Sequence, residues 1–533
     1  MFSDPNSCEL CQPIRMVDVV INWQQPKHPN WAENVIKRTE RSKECFKGLR
    51  HCRTDFIPND KFSRNNVPKT LYCHDMAGGY LHDKYVKGTD KNEGFEFFRW
   101  ACIDIFVYFS HNLLTIPPLG WINAAHKNGV TVLGTLITEG SRGEAIWNKL
   151  LMSKIVIEKF TNSLANICKF YGFDGYLINV ENRIEPEKIG LFCEFIRNLK
   201  DRLKNDNADN LLIWYDSVIY PHGHVYYQNA LNDLNKPFFD LCDGIFLNYT
   251  WTEKDLEMSL MKAGQRKLDV FVGVDVFGRG CKGGGGFGTV EAVEEVRKRG
   301  LSVALFAPGW VHECCQPGEQ FLSRDYKFWD YLYEHLYVSG PSYLPFQTNF
   351  CLGRGKKFFI NGKLEKEEPW YDLTRQDYQI SGLIGAHGLV DSCLVYYEED
   401  GFNGGGCLLI RKSPSETGKA QHVDRLFVCD FPTRKGDKLI FSIITKPLLV
   451  NTNPKLYIIV SLEENNMDKS VCLEVNKSDE GKTGDENLNG WARCEYILEP
   501  PTGRVFEIGC MLGVDNSPLL LGELNIYKAT VPH

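Results

Sequence analysis

A chain of 533 residues, 43% of them hydrophobic, has the length for two or three domains and the composition of an ordinary globular protein. A net charge of -7 with no basic block argues against nucleic acid as a partner, and apolar runs as short as residues 270–274 and 456–460 leave no segment of membrane-spanning length. The first ten residues lack the basic and apolar regions of a secretory signal, and the 19 cysteines, an odd number spread along the chain, read as free thiols, so a cytosolic location is expected.

Residues 1–69 fit no regular pattern and are expected to pack on the domain that follows. Cys8 and Cys11 form a CxxC, but no second close pair completes a zinc ligand set, so no metal is expected. From residue 70 one theme repeats. A short apolar, β-branched run ends in polar or aromatic residues, and a longer helical stretch follows. Eight such runs occur, at 70–75, 103–110, 130–139, 175–181, 211–217, 244–251, 270–278 and 302–310. Between them lie amphipathic segments such as 155–171 and 289–299, with apolar residues recurring at a spacing of three to four. Eight strand–helix units predict an α/β fold of the (β/α)8 TIM-barrel type over 70–338, with the site at the C-terminal ends of the strands. An open doubly wound sheet is the alternative, disfavoured by the absence of a GxGxxG after the first run. A closing helix is read at 325–337 and a linker at Ser339-Gly340-Pro341-Ser342. Beyond it, strand-like runs at 393–397, 407–410, 439–444, 456–461 and 519–527, separated by turn residues, predict a C-terminal β-sandwich over 345–533.

The most informative stretch is Phe173-Asp174-Gly175-Tyr176-Leu177-Ile178-Asn179-Val180-Glu181, ending the fourth run. Alternate residues of a strand share a face, so Asn179 and Glu181 point together into the barrel mouth. A partly desolvated carboxyl there suits a general acid. Most glycosidases pair two carboxylates, yet an Asn stands two residues before this Glu. An amide is neither base nor nucleophile, but it can hold another amide. That points to substrate assistance, in which the carbonyl oxygen of a 2-acetamido group attacks its own anomeric carbon and closes an oxazoline.

The sequence resembles glycoside hydrolase family 85, the cytosolic endo-β-N-acetylglucosaminidases. The stretches that carry the resemblance are Leu71-Tyr-Cys-His-Asp-Met-Ala-Gly-Gly-Tyr80, Val107-Tyr-Phe-Ser-His111, Gly134-Thr-Leu-Ile-Thr-Glu139, Trp214-Tyr-Asp-Ser217, Phe239-Asp-Leu-Cys-Asp-Gly-Ile-Phe-Leu-Asn-Tyr-Thr-Trp251 and Asp275-Val-Phe-Gly-Arg-Gly280. Weaker matches follow at Asn349-Phe-Cys-Leu-Gly-Arg-Gly355 and Phe402-Asn-Gly-Gly-Gly406. The resemblance implies cleavage of the chitobiose core of N-glycans, on glycopeptides or free oligosaccharides, without a cofactor. It implies Glu181 as acid and base, Asn179 as the residue that orients the acetamide, and Tyr215 as its hydrogen-bonding tyrosine. Trp251 and Asn248, in the same stretch, are expected at the sugar subsites. Tyr227 stands where the family has a tryptophan, keeping a stacking face of smaller area.

Around these, His74 and Asp75 end the first strand and either contact sugar or brace a loop. Asp216 is read as a brace behind the site, and Trp310 as the floor of the cleft or as core. Glu139 binds sugar hydroxyls or pairs with Arg142, and the 283–286 glycine run reads as a flexible loop, since no GK[ST] follows it. The sequons at 248–250 and 476–478 stay unmodified in a cytosolic protein. A family 18 chitinase-like hydrolase is the runner-up, but its strand carries two aspartates where this chain has Leu177 and Asn179. A non-catalytic glycan-binding protein is the remaining alternative.

Overall fold

The computed structural model describes residues 9–27, 30–48, 61–91, 93–316, 320–386, 394–412, 423–449, 452, 454–465, 467–475, 488–513 and 517–529; Cys8 and the 476–478 sequon lie outside them. Eight parallel strands close into a TIM barrel: β1 (Thr70–His74), β2 (Ile105–Tyr108), β3 (Thr131–Glu139), β4 (Gly175–Glu181), β5 (Leu211–Tyr215), β6 (Gly244–Leu247), β7 (Val270–Asp275) and β8 (Ser302–Phe306). Each pairs in parallel with the next, and β8 returns to β1 with Phe306 beside Cys73. Barrel strands are buried on both faces, which is why they read as nearly unbroken apolar runs. Alternate side chains divide between two cores. Leu71, Ile105, Leu133, Leu177, Ile213 and Phe271 fill the lumen, whereas Tyr72, Phe106, Val132, Ile178, Leu212 and Val272 pack toward the helices.

The outer layer comprises α1 (Leu119–Lys127), α2 (Gly140–Leu150), α3 (Lys154–Tyr171), α4 (Ile189–Asp206), α5 (Lys236–Leu241), α6 (Glu253–Ala263), α7 (Thr289–Lys298) and α8 (Phe321–Tyr333). Helix α3 shows why such segments start and stop. The Ser153 hydroxyl accepts the Val156 N–H, and Gly172, at φ 69°, closes the helix in the left-handed region. The strand–helix theme fails at its first unit. Among the described residues between β1 and β2 there are only two 3-10 turns, His82–Lys84 and Trp100–Cys102. Aromatic rings fill the helix position instead, with Phe97 at 4.4 Å from Tyr72 and Trp100 at 5.4 Å from Phe106. The closing helix α8 starts four residues earlier than the periodicity placed it.

Described residues of the N-terminal segment pack against the barrel. The buried Arg41 guanidinium donates to the carbonyls of Ile103 at 2.6 Å and Trp100 at 3.1 Å, and Trp31 packs on Tyr171. After the barrel come β9 (Phe346–Thr348), β10 (Leu394–Tyr397), β11 (Cys407–Ile410), β12 (Asp424–Thr433), β13 (Leu439–Pro447), β14 (Leu456–Glu464), β15 (Met467–Val475), β16 (Ala492–Leu498), β17 (Gly503–Leu512) and β18 (Leu519–Lys528). One sheet runs β10-β11-β18-β13-β16 and the other β12-β17-β14-β15, with β9 added to β18. Phe441, Ile443 and Leu524 of one face meet Leu426, Ile458 and Ile508 of the other in a single core. The 339–342 segment is no loose linker. Ser339, Gly340 and Pro341 are buried, Gly340 lies against the Val428 carbonyl, and Asp430 N donates to the Pro341 carbonyl at 2.9 Å. Sandwich and barrel are further joined by the buried Arg99–Asp325 ion pair, whose arginine also donates to the Ile384 carbonyl, and by Trp100 Nε1 donating to Gln376 Oε1 at 2.6 Å. None of the described cysteines is in a disulfide, and no described helix is long and apolar enough to cross a membrane.

Candidate active site

At the C-terminal mouth of the barrel the lumen opens into a cleft of about 380 Å³. Every strand or its following turn contributes: Asp75 from β1, Phe109 and His111 from β2, Glu139 from β3, Asn179 and Glu181 from β4, Tyr215 from β5, Asn248 and Tyr249 from β6, Asp275 from β7 and Phe306 from β8. The pleat explains this. Leu177, Asn179 and Glu181 share the inner face of β4, while Ile178 and Val180 face the helices.

The centre of the cleft is a short hydrogen-bonded series. Asn179 Nδ2 donates to Glu181 Oε1 at 3.0 Å, and Tyr227 Oη donates to Glu181 Oε2 at 2.7 Å. Asn179 is 3% exposed, and its carbonyl Oδ1 has no partner among the described residues. A buried amide oxygen left unpaired costs about 1–3 kcal/mol, so its persistence at the mouth points to a partner supplied from outside. Tyr215 Oη donates to Asn248 Oδ1 at 3.0 Å, and Asn248 Nδ2 donates to Asn229 Oδ1 at 2.6 Å. Burial holds the Tyr215 hydroxyl well above its ordinary range, with Tyr249 and Glu181 adding to it, so it remains a donor. Asp216 lies just behind the cleft, where burial raises its carboxyl to about 6 against the donors that surround it. It accepts Gln228 N at 3.0 Å, Asn229 N at 2.8 Å and Asn235 Nδ2 at 3.0 Å, and so pins the loop that carries Tyr227.

Two further carboxylates line the far side. Asp275 is fully buried and committed to Arg279, at 2.7 Å from Nε, and to the Phe277 and Arg279 amides. Asp75 is raised by burial, against the pull of His111 and Arg279. Among the described residues no group of three or more His, Cys, Asp or Glu is placed to hold a metal ion.

The sequence model of glycosyl hydrolase family 85 matches residues 80–358, which takes in β2 to β8 and with them Asn179, Glu181, Tyr215 and Tyr227. The chain belongs to glycosyl hydrolase family 85. It is 40% identical over 448 residues to the cytosolic endo-beta-N-acetylglucosaminidase of Homo sapiens, covering 81% of this chain and 56% of that protein. It is 45% identical over 313 residues to the enzyme of that name from Gallus gallus, covering 58% and 43%. The chain thus spans about half the length of the relatives it matches. The crystal structure of the Endo-D glycoside hydrolase domain from Streptococcus pneumoniae R6 superposes with a TM-score of 0.74 at 20% identity, over 97% of this chain and 83% of that one, so the two share a fold.

Within this family 85 barrel, Trp251, expected at the sugar subsites, does not line the cleft, and neither do His74 and Trp310, for which a brace and a core position were the other readings. His74 is 2% exposed and lies on the outer face of β1, ringed by Phe95, Phe106, Tyr108 and Trp121. Its neighbour Asp75 takes the inner face, as alternation requires. Trp310 sits in a one-turn helix beyond β8, packed edge-on to Phe287 with the Arg324 guanidinium 4.0 Å over its ring. Trp251 is 5% exposed within the barrel–helix core, and its Nε1 donates to the Gly273 carbonyl at 2.8 Å. The sequence carried a signal for this. Thr252 and Asp255 form the capping box of α6, which puts Trp251 and Leu256 at the positions of a hydrophobic staple. Trp251→Ala is therefore expected to destabilise the barrel by about 3–5 kcal/mol, seen as a melting temperature lower by roughly 5 °C. An unchanged melting temperature, with loss confined to sugar binding, would return Trp251 to the cleft.

Glu139 lines the cleft, and the alternative pairing with Arg142 is not formed. Glu139 is half-exposed and meets His111 Nδ1 at 3.4 Å, while Arg142 donates to the Arg15 carbonyl. In the 283–286 glycine run Gly284 is exposed, but Gly285 and Gly286 are packed: Gly286 N donates to the Val276 carbonyl at 2.7 Å, and a Cβ on Gly285 would fall 2.4 Å from Gly278 N. Asp275, Arg279, His111 and Tyr249 are cleft residues to which sequence reasoning assigned no role. For Asp275 the last inward position of its strand was the available signal; the other three lie past the strand ends.

Proposed function

We propose that the chain is a cytosolic endo-β-N-acetylglucosaminidase that hydrolyses the β1,4 bond between the two N-acetylglucosamines of the N-glycan core, on glycopeptides, misfolded glycoproteins or free oligosaccharides. The names of the relatives support the activity and the compartment. The observation that carries the mechanism is the pairing, on one strand face, of Glu181 with an asparagine whose carbonyl oxygen is buried and unpartnered.

The sugar's 2-acetamido N–H fills the vacant Asn179 acceptor, and this sharpens the acetamide carbonyl oxygen as a nucleophile. That oxygen bonds to the anomeric carbon as the glycosidic C–O bond breaks. The leaving oxygen keeps the electron pair and takes the proton of Glu181. The intermediate is an oxazoline protonated on nitrogen. Glu181, now a carboxylate, removes a proton from water; the water oxygen bonds to the anomeric carbon, the ring opens, and the acetamide and the β-configuration are restored. Tyr215 steadies the acetamide from the side of β5. No cofactor or metal takes part in this scheme. Asp275 is a poor substitute for an enzymic nucleophile, because its carboxylate is spent on Arg279 and two amides.

Incubation with a high-mannose glycopeptide is expected to release a glycan ending in one N-acetylglucosamine and to leave the other on the peptide, as read by mass spectrometry. Cleavage of chitin oligomers in preference to the glycopeptide would favour the family 18 type of activity. Binding without release would favour a glycan-binding protein.

A further inference from the structure

Glu181 ends its strand with a carboxyl on a flexible side chain, and it receives two hydrogen bonds among the described residues, from Asn179 and Tyr227. Asn179 holds Oε1 while its own carbonyl is left for the acetamide, and Tyr227 is the anchor on Oε2. The loop bearing Tyr227 is built to hold it still. On one side Tyr226 N donates to the Ser217 carbonyl at 2.8 Å, and Val225 bridges Val218. On the other, Gln228 N and Asn229 N are both held by Asp216. We propose that Tyr227 is a positioning residue for proton transfer, acting through its hydroxyl on Glu181 Oε2 in addition to any contact its ring makes with sugar. Burial and the neighbouring Glu181 push the tyrosine hydroxyl upward, so it stays a donor throughout the working range of pH. The role rests on Glu181 being the acid, as argued above.

Protonation of the leaving oxygen matters when that oxygen belongs to a sugar and hardly at all when it belongs to a nitrophenol. The test compares a glycopeptide with a 4-nitrophenyl glycoside of the same core glycan, on the wild type, Tyr227→Phe, Tyr227→Ala and Glu181→Gln. Tyr227→Phe keeps the ring. It is expected to lower kcat on the glycopeptide by about 10- to 100-fold, part of the range of general acid catalysis, with KM nearly unchanged and nitrophenyl release nearly normal. Tyr227→Ala should show the same dependence on leaving group and raise KM as well. Equal loss on both substrates, or a wild-type Tyr227→Phe, would overturn the role of the hydroxyl. Glu181→Gln should show the strongest dependence on leaving group in the first turnover, before its loss as base slows both substrates alike. If it shows none while Tyr227→Phe does, the acid has been misassigned, and the role of Tyr227 falls with it.

Discussion

Glu181→Gln is expected to lower kcat for glycopeptide hydrolysis toward the upper end of the ~100- to 10,000-fold range of general acid catalysis. A sugar alkoxide is a poor leaving group, so the lost proton is not easily replaced. The same side chain then serves as base toward water, so both half-reactions suffer. The shape is kept, because glutamine is isosteric and the hydroxyl of Tyr227 can rotate to accept from the new amide where it now donates to the carboxylate. The loss should therefore fall on kcat and leave KM and the circular dichroism spectrum near wild type. Single-turnover kinetics on a glycopeptide would measure it, and near-normal hydrolysis by a folded variant would remove Glu181 from the mechanism.

The barrel was legible because its strands are buried on both faces and its helices on one, a contrast that hydrophobic periodicity records directly. It failed where another element took the place of a helix. The stretch after β1 holds Phe95, Phe97 and Trp100, whose rings cover the strand without helical spacing. In the sandwich, the runs at 407–410 and 439–444 are apolar enough to be seen. β15 and β16 lie at sheet edges and interleave charged with apolar residues, and they were not seen. The 339–342 segment, buried over its first three residues, is composed like a linker, and its docking on Val428 and Asp430 depends on a sheet formed much later in the chain.

The same division runs through the site. Asn179 and Glu181 were readable because a strand's alternation is strict up to its last residue. Past that residue the chain turns, and extrapolation fails: Trp251 folds back onto β7, and Trp310 lies in a helical turn among Phe287 and Arg324. The delivery of Tyr227 to Glu181 joins a loop to a neighbouring strand, and only the folded barrel brings the two together.

Asn179→Ala separates the two halves of the reaction. Without the amide the acetamide is no longer aimed at the anomeric carbon, and ring closure loses its proximity advantage, which amounts to several kcal/mol. Consumption of a preformed oxazoline needs no such aim, because the ring is already closed, and Glu181 remains to activate an acceptor. Truncation also removes the buried unpaired carbonyl of Asn179, so the fold is expected to tolerate the change. The decisive measurement sets hydrolysis of a glycopeptide against transfer from a supplied glycan oxazoline to an N-acetylglucosamine acceptor, both by Asn179→Ala. Hydrolysis nearly abolished, with transfer retained and a product that persists, is the result expected of substrate assistance. Parallel loss of both reactions in a protein shown to be folded would contradict it and return the mechanism to a pair of enzymic carboxylates.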